Sequence, residues 1–451
     1  MSPTYHLTTL GCAKNQVDSE KLDAMLAEAG YVPADDPEQA DVVMVNTCAF
    51  IEDARRESVE TILEVQEARR PGARTVVVGC MAQRFGVDVA AALPEVDAVL
   101  GIDRYGELVP TLDRLTGTQP VSIRRRPAMD ILHAVDRPAP SLPYAYVKVA
   151  EGCDKPCTFC AIPLIRGKQR SRRPIEIRTE VERLVDGGVS EVILVSQDLA
   201  AYGRDLGPAG SAPNSPPATR RPELVSLLHS LSEISGLARL RLLYLYPREI
   251  RPALITEMAD NPKVASYFDL SLQHSETRLL RAMKRPGGRD SYRRLIEEIR
   301  SRAPEAALRS SFIVGFPGET DDDVEDLVSF LEEVELDWAG FFPYSAEAGT
   351  PAAELADQVP AEEVGERLRH LQSCQDAITD EQNRLQIGRR TTVLVDQIED
   401  GTPVARSFRH APEIDGVITL DAGRPGEWRE VEITAAFGSD LEADVVSERV
   451  P

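Results

Sequence analysis

The chain has 451 residues, 42% hydrophobic and 28% charged, the composition of a globular protein with room for two to four domains. Its 74 acidic against 51 basic side chains give a net charge of -23, which disfavours general binding to phosphate backbones and favours basic partners. No apolar run is long enough to span a bilayer and the start lacks a signal-peptide layout, so no membrane contact and a cytoplasmic location are expected; an odd count of seven cysteines argues against a disulfide framework.

From residue 4 to 116 short apolar runs alternate with amphipathic stretches. YHLTTL precedes a helical pattern over 18–29, DVVMVNT one over 52–69, TVVVG a shorter one, and AVLGI one over 106–116. Val-rich runs between helices predict a parallel sheet covered on both faces, hence an N-terminal parallel α/β domain over 1–117. A stretch containing Pro and Arg, 118–142, reads as a linker.

From Tyr144 the alternation restarts with YAYVKVA, EVILVSQ, LRLLYLY, YFDLSLQ, LRSSFIVGF and WAGFFPY, and a helical pattern follows each of the first five. Six βα units joined by right-handed crossovers predict a partial (β/α)6 barrel, which with a long connecting helix over about 361–387 fills 143–388. The segment 203–221, rich in Pro, Gly, Ser and Ala, reads as a surface insertion. Five short runs then predict a small antiparallel β-barrel over 389–451, and the fold class is α/β with this appended domain.

Three cysteines lie within eight residues at Cys153, Cys157 and Cys160, directly after the first core strand. Soft thiolates suit iron–sulfur chemistry, and three of them leave one iron of a cubane open; a closed zinc site would want a fourth Cys or His, which the adjoining sequence lacks. The CxxxCxxC spacing resembles that of radical S-adenosylmethionine enzymes. The resemblance implies that S-adenosylmethionine chelates the open iron and serves as the radical source. It also implies cofactor contacts at Gly187 and Gly188 before the second strand, Gln273 at the end of the fourth, and Gly315 and Phe316 after the fifth. Two of these have a plainer alternative: Gly187–Gly188 as a helix-stopping turn, and Gln273 as a satisfied buried polar residue.

A second triad, Cys12, Cys48 and Cys80, is dispersed in sequence, but each member follows a predicted parallel strand, so all three should share one edge of that sheet. Cys374 sits alone on a helix and reads as a bystander. Two open triads and a terminal small barrel resemble the radical methylthiotransferases over nearly the whole chain. That family implies two 4Fe-4S clusters, S-adenosylmethionine also as methyl donor, a terminal TRAM domain, and conversion of a C–H bond to C–S–CH3.

LGCAKNQVDSE, RGKQRSR and HAPEIDG are more similar to the members that modify the β-carbon of an aspartate in small-subunit ribosomal protein twelve, the RimO family. The segment 389–451 carries 13 acidic residues against 7 Arg and no Lys, a net of -6, which agrees with a basic protein substrate, with Glu413 and Asp415 as docking charges. A tRNA adenosine methylthiotransferase would instead need a phosphate-binding face, for which Arg124 to Pro127 with Arg166, Arg170, Arg172 and Arg173 is the rich local source. A non-enzymatic iron–sulfur factor binding the ribosome is the third reading. Beyond the cluster ligands no catalytic acid or base stands out, and no residue identifies the electron donor or sulfur donor.

Overall fold

The computed structural model describes residues 2–115, 121–122, 135–137, 140–206 and 223–448. Most of the 203–221 insertion and Arg124–Pro127 therefore lie outside the described residues. The chain forms two compact units. The first comprises Met1–Pro138, Glu151–Asp154 and Cys160–Arg172; the second comprises Ala139–Ala150, Lys155–Phe159 and Arg173–Pro451.

The first unit is built on a parallel sheet of β1 (Thr4–Thr9), β2 (Val32–Pro33), β3 (Val42–Thr47), β4 (Arg74–Gly79), β5 (Ala98–Gly101) and β6 (Val121–Ser122), in the order β2-β1-β3-β4-β5-β6. All five pairings are parallel. Every residue of β3 is buried, as expected for a strand covered on both faces. β6 falls inside the stretch expected to be a linker, where it extends the sheet by one short edge strand. The first helix starts at Ala13 rather than 18. Its opening turns bury Lys14, Asn15, Asp18, Ser19 and Lys21, so no apolar periodicity marks its start.

In the second unit the six expected strands are β7 (Tyr144–Lys148), β8 (Glu191–Val195), β9 (Arg239–Leu242), β10 (Tyr267–Gln273), β11 (Ala307–Val314) and β12 (Trp338–Pro343). They form two three-stranded parallel sheets, β9-β8-β7 and β10-β11-β12. Isolated parallel bridges, Leu240 to Val264 and Leu245 to Leu270, carry the curvature from one sheet to the other. The result is an open (β/α)6 arrangement around an apolar core that includes Val147, Leu194, Leu242, Leu270 and Phe312.

A 24-residue helix, Ala361–Arg384, leads to a closed five-stranded barrel of β13 (Arg390–Glu399), β14 (Thr402–Arg406), β15 (Ile418–Leu420), β16 (Trp428–Phe437) and β17 (Asp440–Glu448). The closed order is β13-β14-β15-β17-β16. The barrel is not wholly antiparallel, because β15 and β17 run parallel; the chain crosses over to bring its last strand between two earlier ones.

The loop between β14 and β15 packs against the amino ends of the core strands. Arg241 on β9 donates to Glu191 at 2.9 Å and to the carbonyls of Phe408 at 2.7 Å and Ser407 at 3.1 Å. Arg406 reaches Asp396 at 2.5 Å and Glu191 at 3.2 Å. Burial raises the Glu191 carboxyl, but Arg406, Arg241 and Arg239 outweigh it and hold its pKa down to about 2.

This geometry corrects the docking expectation for Asp415 in HAPEIDG. The Asp415 side chain is fully buried, accepting from the Tyr267 hydroxyl at 2.6 Å and the Ala411 amide at 2.8 Å and facing Arg309 at 3.3 Å. Glu413 accepts from the Tyr144 hydroxyl at 3.2 Å. Asp415 fastens the small barrel to the core instead of offering charge to a partner, whereas Glu413 stays exposed. Replacing Asp415 by Ala leaves the Tyr267 hydroxyl and part of the Arg309 charge buried without a partner, so a loss of about 3 kcal/mol is expected, read as a lower urea midpoint.

Candidate functional site

β1, β3 and β4 are neighbours in the first sheet, and the three dispersed cysteines stand at their carboxyl ends. Cys48 and Cys80 directly follow Thr47 and Gly79, and Cys12 lies in the turn after β1. Cys12 is exposed while Cys48 and Cys80 are buried. The turn passes Cys48 so closely that a Cβ on Gly11, whose φ is +92°, would meet the Cys48 Cβ at 2.8 Å. At Gly79, φ +94°, a Cβ would sit 2.3 Å from the Asn46 Oδ1. Both glycines are required by close approach and by a left-handed backbone.

Arg166 enters this site fully buried. Its Nη1 donates to Asp18 at 3.2 Å and Glu151 at 2.8 Å, and its Nη2 donates to Asn15 Oδ1 at 2.6 Å and Cys80 Sγ at 3.3 Å. Asn15 is itself fixed by donation to the carbonyls of Leu10 and Thr47. Arg166 and Arg172 are two of the arginines expected in a phosphate-binding patch. Both are buried, so neither offers its charge to a nucleic acid.

The thiols feel one another and the guanidinium. Crowding by protein atoms opposes ionisation of Cys12, but the charges of Lys14 and Arg166 and backbone N–H groups outweigh it and lower its pKa. Burial raises Cys48, with the Cys12 charge adding to the effect. Burial pushes Cys80 up to about 12 despite Arg166. Among the described residues no three His, Cys, Asp or Glu side chains close around a point that would hold a single metal ion. Three soft donors on neighbouring strand ends, beside a buried cation, have the donor chemistry for an anionic iron–sulfur group that spreads its ligands over several irons.

The other triad lies on the loop after β7. The Cys153 amide donates to the Gly167 carbonyl at 3.0 Å, and a Cβ on Gly152, φ +77°, would meet the Lys168 carbonyl oxygen at 2.2 Å. Within the second unit, Thr158 ties Lys155–Phe159 down by donating its amide to Met283 at 3.1 Å and its hydroxyl to Ala282 at 2.8 Å. Arg285 lies 4.2 Å above the Tyr246 ring and 3.6 Å from Cys157 Sγ; Lys155 lies 4.6 Å from the same ring and 3.2 Å from Asp198. Glu249 pairs with Lys155 and Arg204. Burial raises the Asp198 carboxyl, opposed by Lys155. Lys155, Asp198, Tyr246 and Arg285 form a polar group beside Cys157 that residue patterns alone had not picked out. Their common signal is position, since Asp198 and Tyr246 follow the carboxyl ends of β8 and β9.

The expected cofactor contacts divide. Gly187 and Gly188 sit at the amino end of β8, the edge away from the carboxyl ends of the core strands. Amide donation from Gly188 to Val185 and from Val189 to Leu184, with φ +103° at Gly188, is the hydrogen-bonded pattern of a helix stop. The contact expected there is therefore replaced by the turn. Gln273, at the carboxyl end of β10, has φ +74°. Gly315 and Phe316 follow β11; the Gly315 amide donates to Glu319 at 2.9 Å, and Phe316 is buried edge-on to Tyr344 at 5.4 Å. Cys374 packs against the core from the long helix, apart in sequence and element from both triads.

An open six-stranded parallel barrel with CxxxCxxC after its first strand defines a radical S-adenosylmethionine protein, and family comparison agrees. Residues 147–331 match the radical SAM superfamily, 4–101 the uncharacterized protein family UPF0004, and 387–446 the TRAM domain. The chain is 44% identical to the ribosomal protein uS12 methylthiotransferase RimO of Anaeromyxobacter sp. (strain K), covering 99% of this chain and 94% of that protein. It is 40% identical to the RimO of Kineococcus radiotolerans, over 98% of this chain and 97% of the relative. The chain belongs to the RimO family of radical methylthiotransferases. Among solved structures, the radical S-adenosylmethionine methyltransferase TsrM from Kitasatospora setae, with tryptophan substrate and a SAM analogue bound, shares the fold at a TM-score of 0.54 and 14% identity, over 85% of this chain and 90% of that one.

The thiol electrostatics give a direct test on metal-free protein. Because the thiolate is the nucleophile, exposed Cys12 with its lowered pKa is expected to be alkylated by iodoacetamide at pH 7, whereas buried Cys80 stays unmodified through about pH 9. Peptide mapping by mass spectrometry reads the order.

Proposed function

We propose that this chain inserts a methylthio group at the β-carbon of an aspartate of ribosomal protein uS12, in the cytoplasm, using two 4Fe-4S clusters. The carrying observation is the convergence of Cys12, Cys48 and Cys80 on neighbouring strand ends in a chain that also has the CxxxCxxC loop. Cys153, Cys157 and Cys160 would hold the cluster that binds S-adenosylmethionine; Cys12, Cys48 and Cys80 would hold the second. The bound cofactors supply a carbon radical able to take hydrogen from an unreactive carbon, together with the sulfur and methyl chemistry.

The protein's own part is to bind, orient and exclude water. Arg285 and Tyr246 back Cys157. Half-buried Lys155 and buried Asp198 present a charge pair of the kind that orients an amino acid moiety. Gln273 and the turn Gly315–Phe316, on the ends of adjacent strands, are proposed to line the nucleoside end. The substrate rests on the names of relatives that match nearly the full chain; of the arginines that would serve tRNA, Arg166 and Arg172 are buried, while Arg170 is half-buried and Arg173 exposed.

The two triads should be separable. Cys153→Ala is expected to lose about four irons per chain and all formation of 5′-deoxyadenosine from S-adenosylmethionine, while Cys48→Ala loses about four irons, keeps that formation and makes no methylthio product. Iron analysis and chromatography of anaerobic assays read both. Mass spectrometry of ribosomal proteins and tRNA from cells with and without the chain tests the substrate: a mass increase on uS12 is expected, and an increase on tRNA alone would overturn the assignment.

A further inference from the structure

We infer that Arg166 is a positioning residue that sets the reduction potential of the group held by Cys12, Cys48 and Cys80. The inference rests on the proposed ligand role of those cysteines. Arg166 is fully buried, and one Nη2 hydrogen bond points at Cys80 Sγ at 3.3 Å. Asp18, Glu151 and Asn15 hold the other Nη donors, so the guanidinium has a fixed direction. A residue serving only to pin its loop would need the carboxylates and not the thiol.

The chemical consequence follows from charge. Iron–sulfur potentials respond to hydrogen bonds on the sulfurs, to net charge and to burial. Taking up one electron adds one negative charge beside Arg166, and a buried cation donating to a ligand sulfur stabilises that state. Arg166 therefore raises the potential, and its carboxylate partner Asp18 lowers it. A planar fork that reaches a carboxylate and a sulfur at once is a task for Arg rather than Lys.

The test uses the full chain carrying Cys153→Ala, Cys157→Ala and Cys160→Ala, reconstituted anaerobically so that one cluster remains, with dithionite as the one-electron donor. Electron paramagnetic resonance during a redox titration gives the midpoint. Arg166→Gln is expected to make reduction at least tenfold less favourable, a fall of 59 mV or more for a one-electron couple. Arg166→Lys should recover part of that fall, and Asp18→Asn should shift the midpoint upward. Opposite signs at positions 166 and 18 cannot come from loosened packing, which would move both variants alike. If Arg166→Gln does not retain iron, the Arg166→Lys and Asp18→Asn shifts decide. Unchanged midpoints in iron-loaded variants overturn the role of Arg166 and leave the ligand assignment standing; a triple-Ala parent that binds no set of about four irons overturns the ligand assignment itself.

Discussion

In a parallel sheet every strand leaves at the same edge, and right-handed crossovers return the chain to the opposite edge to start again. Residues far apart in sequence therefore meet whenever their strands are neighbours. Cys12, Cys48 and Cys80 meet because β1, β3 and β4 are adjacent, whereas a cysteine after β2 or β6 would lie at the rim. The rest of the first unit follows from keeping that edge open. Gly11 and Gly79 admit the turns, Asn15 fastens them, and the first helix begins with polar residues because its opening turns face the thiols.

The same rule divides the second unit into two ends with different tasks. Carboxyl ends of the core strands carry Asp198, Tyr246, Gln273 and Gly315. Amino ends carry Glu191, Arg239, Arg241 and Tyr267, bonded to the loop of the small barrel. A buried ionic cluster contributes little net stability compared with apolar packing but penalises any misfit, since a lone buried charge costs several kcal/mol. It therefore suits a junction that fixes one orientation of the barrel on the core, and the overall charge of -23 says little about such a site.

Much of this was legible in sequence for a physical reason. Strands buried on both faces read as Val- and Leu-rich runs, so all six core strands and the four longer strands of the first sheet stand out. β2 and β6, two residues each, are too short to carry a pattern. Misreadings fell where polar residues are buried. The first helix lost its apolar stripe to the site, Arg166 and Arg172 looked like surface charge, and Asp415, whose side chain is buried, looked like a docking carboxylate. Sequence shows that a residue is charged, but its direction depends on partners from distant segments: Asp18 and Cys80 for Arg166, Tyr267 and Arg309 for Asp415.

Glycine and strain separate packing from ligand binding at the carboxyl ends. A Cβ on Gly315 would stand 2.3 Å from Val364 Cγ2, so the long helix alone demands glycine there. Gln273 is different. It takes φ +74° without being glycine, next to a register shift between Leu270 and Gln273, and Tyr244 does the same at φ +64° just beyond β9. Such conformations cost about 1–3 kcal/mol each and persist only where the surroundings impose them. Glu335 ends a helix and Asp400 turns a hairpin, which accounts for their positive φ. Tyr244 and Gln273 lie instead at the ends of neighbouring core strands, facing the same edge as Cys157. There neither a helix cap nor a hairpin turn accounts for the strained backbone, and this makes Gln273 a stronger candidate contact than the glycine whose conformation packing already explains.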